Sequence, residues 1–451
     1  MSQQLIRKYN IPGPRYTSYP TVPYWEEAYF STDKWKASVL RTFEESPEIS
    51  LYIHLPFCEK LCTFCGCNKR ITRNHQVEGP YIDSLLEEWR MYKELLPSPP
   101  TISEIHLGGG TPTFFHPDEL ERLIVGLKEG AKVASNASLS FEGNPVNTRP
   151  THLSRLYDLG FRRVSFGIQD FDPIVQDLIN RVQTFEQVTE VTREARQIGY
   201  TSVNFDIIYG LPRQTEDSIL DTIDKVRLLR PDRIAYYSYA HVPWIKGVGQ
   251  RKFTEADLPR NGAKRRLYEL GRNLLEEIGY TEIGMDHFAL PTDELYTALF
   301  DKELHRNFMG YTPSTSRLMV GLGVSSISDS WYGFAQNEKK VETYQARVAA
   351  GELPVFRGHM LTQEDLVLRQ HILNLMCKLE TSWVPDQLQT PVLAEVLPRL
   401  EELQRDGLIE LTDTDLWVPP EGLPFIRNIC MAFDARMWRK KPQTQLFSMT
   451  I

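Results

Sequence analysis

Six short runs rich in β-branched and aromatic residues (SLYIHLPF, SEIHLGGG, SLSFEGNP, RRVSFGIQD, VNFDIIYG and DRIAYYSY) alternate with stretches of helical period between residues 50 and 239. A strand that leads through a helix to another strand of one sheet does so as a right-handed parallel βαβ unit. Six such units fall short of the eight that close a full barrel. The pattern therefore predicts an α/β fold, an open partial (β/α)6 barrel. Two connecting helices are legible in detail. Thr215 can cap a helix opened by Glu216 and Asp217, with Ile219, Ile223 and Val226 on one face and Pro231 as the stop. Pro80 to Leu96 reads the same way, with Ile82, Leu85 and Trp89 facing inward.

In open α/β sheets the chemistry gathers at the carboxyl ends of the strands. The unusual residues of this chain fall there: Cys58 after the first run, Gly108 to Gly110 after the second, Glu142 at the third, Gln169 at the fourth and Asp206 in the fifth. Packing alone does not ask for five such positions at one rim.

Outside the barrel, residues 1–35 carry GPRYTSYP and several aromatics without strand or helix period, and read as an N-terminal arm. Residues 36–358 form the barrel region and 359–451 a C-terminal cover domain. The latter runs from two helical stretches (LTQEDLVLRQHILNLMCKLE and LAEVLPRLEELQRDG) into GLIELTDTDLWVPPEG, a short hairpin, and then a further helix. That order predicts a mostly helical, winged-helix-like domain. Its acidic residues, Glu401, Glu402, Asp406, Glu410, Asp413 and Asp415, argue against phosphate contacts. So does the whole chain, with 51 Lys and Arg against 59 Asp and Glu and a net charge of -8. No nucleic-acid partner is expected. MSQQLIRKYN has no apolar h-region and no apolar run reaches about 18 residues, so a soluble cytoplasmic protein without a membrane span is expected.

Four of the chain's six cysteines crowd into CEKLCTFCGC, as Cys58, Cys62, Cys65 and Cys67. Six in 451 residues are too few for a disulfide scaffold, which leaves metal or redox chemistry. A structural zinc site asks for a second ligand pair elsewhere in the chain, and none is present. Three thiolates on one tight loop suit a 4Fe-4S cluster whose fourth iron stays open to another ligand.

CxxxCxxC after the first strand of a partial barrel resembles the motif of radical S-adenosylmethionine (SAM) enzymes, with Phe64 as the aromatic before the third cysteine. In that superfamily the open iron binds SAM and an electron from the cluster cleaves it, releasing methionine and a radical that takes hydrogen from substrate. Gly108 to Gly110 let backbone approach a ligand closely, while Glu142, Gln169, Arg181 and Asp206 suit its polar groups. The likeness goes further. GPRYTSYP, SLYIHLPFCEKLCTFCGCNK, HLGGGTPT, SFGIQDF, NFDIIYGLPRQT, YAHVPW, GMDHFA, HRNFMGYT and IRNICMAFD together resemble the oxygen-independent coproporphyrinogen III oxidases over most of the chain.

The resemblance implies oxidative decarboxylation of two propionates of coproporphyrinogen III to vinyls, giving protoporphyrinogen IX in anaerobic haem biosynthesis. It implies a 4Fe-4S cluster on Cys58, Cys62 and Cys65, and two SAM molecules. Tyr52, Gly109, Glu142 and Ile327 are implied for the first SAM; Phe64, Gly110, Thr111, Gln169, Arg181, Asp206 and Ala240 for the second. Cys67 is implied as a non-ligand with a catalytic part. EGNP departs from the family's more typical EVDP at Asn144 and keeps Glu142. A haem-carrying or haem-degrading radical SAM relative is the alternative; the RYTSYP arm and Cys67 favour the oxidase.

A tetrapyrrole with four propionates needs Arg or Lys beside apolar surface. Arg15 with Tyr16 and Tyr19, Arg306 and Arg427 are the candidates, and Arg15 and Tyr16 are taken as catalytic. His54, His287 and His305 read first as satisfied core histidines, and Cys377 and Cys430 as core thiols. A monomer is expected, served by an electron donor and an electron acceptor that the sequence does not identify.

Overall fold

The computed structural model describes residues 3–242, 250, 252–260, 262–442, 444 and 446–450. Pro243 and Trp244 of the YAHVPW segment lie outside them. The six runs form the parallel strands β1 (Glu48–Leu55), β2 (Thr101–Gly109), β3 (Lys132–Gly143), β4 (Arg163–Gln169), β5 (Ser202–Tyr209) and β6 (Arg233–Ser238), adjacent in sequence order. Between and after them run α1 (Glu78–Leu95), α2 (Pro117–Lys128), α3 (Pro150–Asp158), α4 (Phe185–Ile198), α5 (Glu216–Leu229) and α6 (Ala263–Glu277). The cap at Thr215 is formed, its hydroxyl accepting from the Ser218 N–H, and Ile219, Ile223 and Val226 are buried. Helix α1 starts two residues earlier than Pro80 and buries Tyr81, Ile82, Leu85, Glu88, Trp89 and Tyr92, a broader inward face than three apolar positions indicate.

The sheet does not stop at six strands. β7 (Thr281–Gly284) and β8 (His287–Ala289) extend it antiparallel beyond β6. On the other edge β9 (Leu318–Leu322) pairs parallel with β1, followed by antiparallel β10 (Ile327–Asp329), β11 (Gly333–Asn337) and β12 (Val355–Met360). The result is one sheet of twelve strands that covers both open edges of the partial barrel. The turn between β9 and β10 carries Ile327 to the mouth beside β1.

A second core unites chain segments far apart in sequence. Tyr9, Tyr16, Tyr19 and Tyr24 of the arm pack with Ile283, Leu295 and the C-terminal helices α7 (Gln363–Lys378), α8 (Leu393–Arg405) and α9 (Ile426–Ala432). Glu410–Leu411 and Asp415–Trp417 form the expected hairpin, joined by Glu380–Ser382 into a three-stranded sheet. The expected division at 358/359 falls inside β12, and that at 35/36 inside the helix Thr32–Glu45. No helix among the described residues is long and apolar enough to cross a membrane.

The arm is ordered by a clasp. The buried Arg427 guanidinium donates to the carbonyl oxygens of Pro14 (2.9 Å) and Met449 (2.7 Å) and of Gly13, and Asn428 donates to the Tyr9 carbonyl at 2.9 Å. Arg427 is thus bound to backbone rather than free for a substrate carboxylate. Arg427→Ala leaves these carbonyls without a donor and is expected to cost about 2–4 kcal/mol. Limited proteolysis should then cut near residue 13 well before the barrel; an arm as resistant as in the wild type would refute the clasp.

Candidate active site at the barrel mouth

The cysteine loop leaves β1 and is held on both sides. Phe57–Cys58 pairs parallel with Arg70–Ile71, closing the loop at its base. On the far side the Thr63 N–H and hydroxyl donate to the Ile179 and Leu178 carbonyls, and Asn180 donates to the Leu61 carbonyl. His54 bridges the loop to the strand, one ring nitrogen 2.9 Å from the Asn68 carbonyl and the other 3.1 Å from the Tyr52 hydroxyl. Burial holds its pKa below the ordinary range, so the ring is neutral at neutral pH.

All four loop cysteines are free thiols: Cys58, Cys62 and Cys65 are half-buried and Cys67 is exposed. The Thr111 hydroxyl donates to Cys58 Sγ at 3.3 Å, and Arg181 Nη1 stands 4.0 Å from Cys62 Sγ. Burial pushes the Cys58 thiol up to about 11. Hydrogen bonding from Cys67 brings Cys65 down to about 6, with Lys69 adding to it. Among the described residues no three side chains are drawn together as ligands of a single metal ion. A cluster in which each thiolate takes a separate iron asks instead for three thiols along one loop with donors beside the sulfurs, and the loop fits that requirement.

The glycine turn sits directly beneath. Gly109 has φ +111, and a Cβ there would stand 2.7 Å from the His54 ring; one on Gly110 would meet the Pro56 carbonyl at 2.6 Å. No side chain is tolerated at either position without moving β1 or the loop. The Gly109 N–H donates to Glu142 at 3.2 Å. The Glu142 side chain is 43% exposed because it faces a cavity, together with Tyr52, Cys67, Gly109 and Ile327. Burial raises its pKa, but His106, 3.6 Å away, and the Gly109 N–H outweigh that and hold it below the ordinary range. His106 is a residue the sequence did not single out. It stacks on Tyr52 across the β1–β2 register and is held by the Ser140 hydroxyl at 2.8 Å.

A second group lies on the β4–β6 side. Gln169 has φ +70, a strained conformation for a non-glycine residue, at a break in the β4–β5 register. The twist lays its amide over Gly167 beside Arg181, which donates to the Gly167 carbonyl at 2.7 Å. Asp206 accepts from Ser165 (3.1 Å) and Asn204 (2.8 Å), and burial, with the Glu142 charge, pushes it up to about 7. Gln250, absent from the sequence reading, ties the Phe64 and Ala240 carbonyls together at 3.3 and 2.9 Å. Tyr16, expected to be catalytic, is buried in the second core with its hydroxyl 3.1 Å from Asp434, and it is not among the residues lining the cavity of Glu142.

The turn that delivers Ile327 is fixed from α1. The fully buried Glu88 accepts from the Gly323 N–H (2.8 Å), Asn337 (2.6 Å) and the Tyr344 hydroxyl (2.7 Å). Tyr81, two turns earlier on the same face of the helix, donates to the His54 carbonyl and accepts from the Val324 N–H, both at 2.9 Å. One helix thereby sets β1, the loop and the β9–β10 turn against one another.

Residues 52–226 match the family model described as the radical SAM superfamily. The chain is 40% identical, over 99% of its length and 98% of the relative's, to an oxygen-independent coproporphyrinogen III oxidase of Escherichia coli. It is 37% identical over 100% of its length and 98% of the relative's to that of a Synechocystis species. Among solved structures, coproporphyrinogen III oxidase from Escherichia coli, described as a radical SAM enzyme, matches with a TM-score of 0.89 at 38% identity, over 96% of this chain and 98% of that one.

Burial pushes Glu88 up from 4.5 to about 7. A raised folded pKa contributes stability that is complete below 4.5 and lost as pH rises through about 7. Between about pH 5 and about pH 8 the wild type should therefore lose up to about 3 kcal/mol relative to Glu88→Gln. Glu88→Ala should cost about 2–4 kcal/mol near pH 5, and that cost should shrink as pH rises through about 7. Denaturant titrations at the two pH values test this, and parallel pH profiles for wild type and Glu88→Gln would contradict it.

Proposed function

This chain belongs to the oxygen-independent coproporphyrinogen III oxidases of the radical SAM superfamily, and from that premise we propose that it converts two propionates of coproporphyrinogen III to vinyls in anaerobic haem biosynthesis. The observation that carries this reading is the juxtaposition of a three-thiol loop, a glycine turn that admits no side chain, and a cavity holding Tyr52, Glu142 and Ile327. When bound, a 4Fe-4S cluster and SAM supply one-electron reduction and hydrogen-atom abstraction at a propionate β-carbon. Each propionate then loses CO2 and passes one further electron to an acceptor.

The residues of the chain supply holding and shielding. Cys58, Cys62 and Cys65 would hold the cluster, with the Thr111 hydroxyl and Arg181 beside two of the sulfurs stabilising negative charge on them. Glu142, kept ionised by His106 and Gly109, suits an ammonium group, and Tyr52 and Ile327 line the same space. We assign this cavity to the first SAM. The second would lie against Phe64, Gly110, Thr111, Gln169, Arg181, Asp206 and Ala240; what supports it is that the Asp206 and Gln169–Arg181 groups stand on other strands, outside the first cavity. Cys67 lines that first cavity apart from the three ligands, which supports a role in turnover rather than in holding iron. Both sides of the mouth come from one chain, which supports a monomer as the catalytic unit. Four unpaired thiols on one loop support a reducing, cytoplasmic setting, with donor and acceptor as separate partners.

Anaerobic reconstitution separates these roles. Cys58→Ala, Cys62→Ala and Cys65→Ala should each lose the cluster's visible absorbance and most of the iron, while Cys67→Ala keeps both and loses turnover. Wild-type iron in all three ligand variants would overturn the assignment. With reductant, SAM, coproporphyrinogen III and a cell-extract acceptor, the wild type should yield protoporphyrin and matching deoxyadenosine; neither product, from protein with an intact cluster, would overturn the reaction.

In the same assay Gln169→Gly tests the strained position. Removing the side chain should relieve about 1 kcal/mol of strain and raise thermal stability, while the KM for SAM rises several-fold. A Tm unchanged or lowered, with KM unaltered, would mean that the conformation serves packing alone.

A further inference from the structure

Where the arm, the C-terminal domain and the β6–β8 edge meet, a second cavity opens at the carboxyl ends of β5 and β6, lined there by Tyr209 and Ser238. These are the strands whose ends also carry Asp206 and Ala240. Its walls combine aromatic rings with cations: Arg15, Lys264, Arg265 and Arg427 line it, and Arg306 lies 4.5 Å from the ring of Tyr311, which is part of the wall.

Most of these cations are already matched. Arg15 pairs with Asp286 and Arg265 with Glu269 at 2.9 Å, Lys264 donates to the Tyr239 carbonyl at 2.7 Å, and Arg427 is spent on the arm clasp. The other carboxylate in the wall, Glu282, accepts from the Tyr268 hydroxyl at 2.8 Å. Arg306 is different. It is 4% exposed, its Nε and Nη1 have no hydrogen-bond partner among the described residues, and its remaining bond is a long one, 3.4 Å, to the Arg15 carbonyl. No carboxylate among the described residues pairs with it. Burial, with Arg15 and Arg306 close by, lowers Arg427 to about 9; burial, with Arg15 and Arg427, lowers Lys264 to about 8. The neighbouring His287 stays neutral for the same reason: burial first, then Arg306 and Arg15. Positive charge is thus crowded beyond what the described residues neutralise, and a buried guanidinium without a counter-charge costs several kcal/mol.

Such an arrangement is retained where an anion completes it. Resting on the reading that the substrate is a tetrapyrrole with propionate side chains, we infer that this cavity is a carboxylate subsite in which Arg306, beside Arg15, holds a propionate not undergoing reaction. The Tyr209, Tyr268 and Tyr311 rings give the adjoining pyrrole an apolar wall. A planar guanidinium whose Nε and Nη1 have no partner among the described residues offers a carboxylate N–H donors in a fixed fork, which a lysine does not. Hairpin geometry joins the subsite to the reacting end: Arg306 lies in His305–Asn307, and the tip that follows, Phe308 and Met309, lines the cavity of Glu142 and Tyr52.

The test uses the reconstituted full chain and coproporphyrin III, the fluorescent oxidised form with the same four propionates, in quenching titrations beside its tetramethyl ester. Arg306→Gln should weaken coproporphyrin III binding about tenfold or more and leave ester binding unchanged, with Arg306→Lys between. At the same time Arg306→Gln, freed of an uncompensated buried charge, should melt at or above the wild-type temperature. A guanidinium that only supports the fold would give the reverse, a lower melting temperature with unchanged affinity, and that result overturns the subsite. Equal affinities for wild type and Arg306→Gln also overturn it. If the wild type binds coproporphyrin III no better than its ester and forms no vinyl product, the functional reading itself has failed; if it turns substrate over with a KM that Arg306→Gln does not change, the subsite alone has.

Discussion

The close contact between the end of β1 and the glycine turn after β2 is what the rest of the site depends on. Gly110 donates to the Leu55 carbonyl at 2.8 Å and Thr111 to the Phe57 carbonyl at 3.1 Å, so two strand ends are stitched together where the cysteine loop begins. On the loop's return, Arg70 donates to Pro56 and Thr72 to Cys58. These four bonds of the corner run from backbone to backbone, which leaves the thiols free for metal chemistry instead of turn-making. Side chains at positions 109 and 110 would break the contact by steric overlap, and the thiols would lose their common direction.

Around this corner the polar groups divide by charge. One side is acidic, with Glu142 and Asp206 at the ends of β3 and β5. The other is cationic, with Arg15, Arg306 and Lys264 near the ends of β5 and β6. Burial sharpens this polarity, because charges in a walled cavity are screened less than on an open surface.

Order at the mouth is imposed from behind it. Helix α1 spends two of its buried polar residues, Tyr81 and Glu88, on the Gly323–Ser326 turn and on β1, with Asn337 completing the network through Gly323 and Ser326. On the opposite side Asp170, Gln183 and Gln214 tie the segment after β4 to the end of β5. The arm is likewise no loose lid: Arg427 and the tyrosines fold it into the C-terminal core, and that packing brings Arg15 to the cationic cavity.

By itself the sequence determined the six βα units, the helix at Thr215, the helix–hairpin–helix order of the C-terminal domain and the cysteine loop, because each rests on periodicity, capping or spacing within a short stretch of chain. Local pattern also placed Cys58, Gly109, Glu142, Gln169 and Asp206 at strand ends. Only the tertiary structure decided the additional strands that cover the sheet edges, since β9 joins β1 across more than 260 residues of chain and no local period marks that partner. It alone set Tyr16 against Asp434 and Arg427 against the arm, and left Arg306 without a carboxylate among the described residues. Whether an arginine is a clasp, an ion pair or a waiting ligand depends on what the fold brings within about 3 Å of its guanidinium, a distance that neighbours in sequence do not decide.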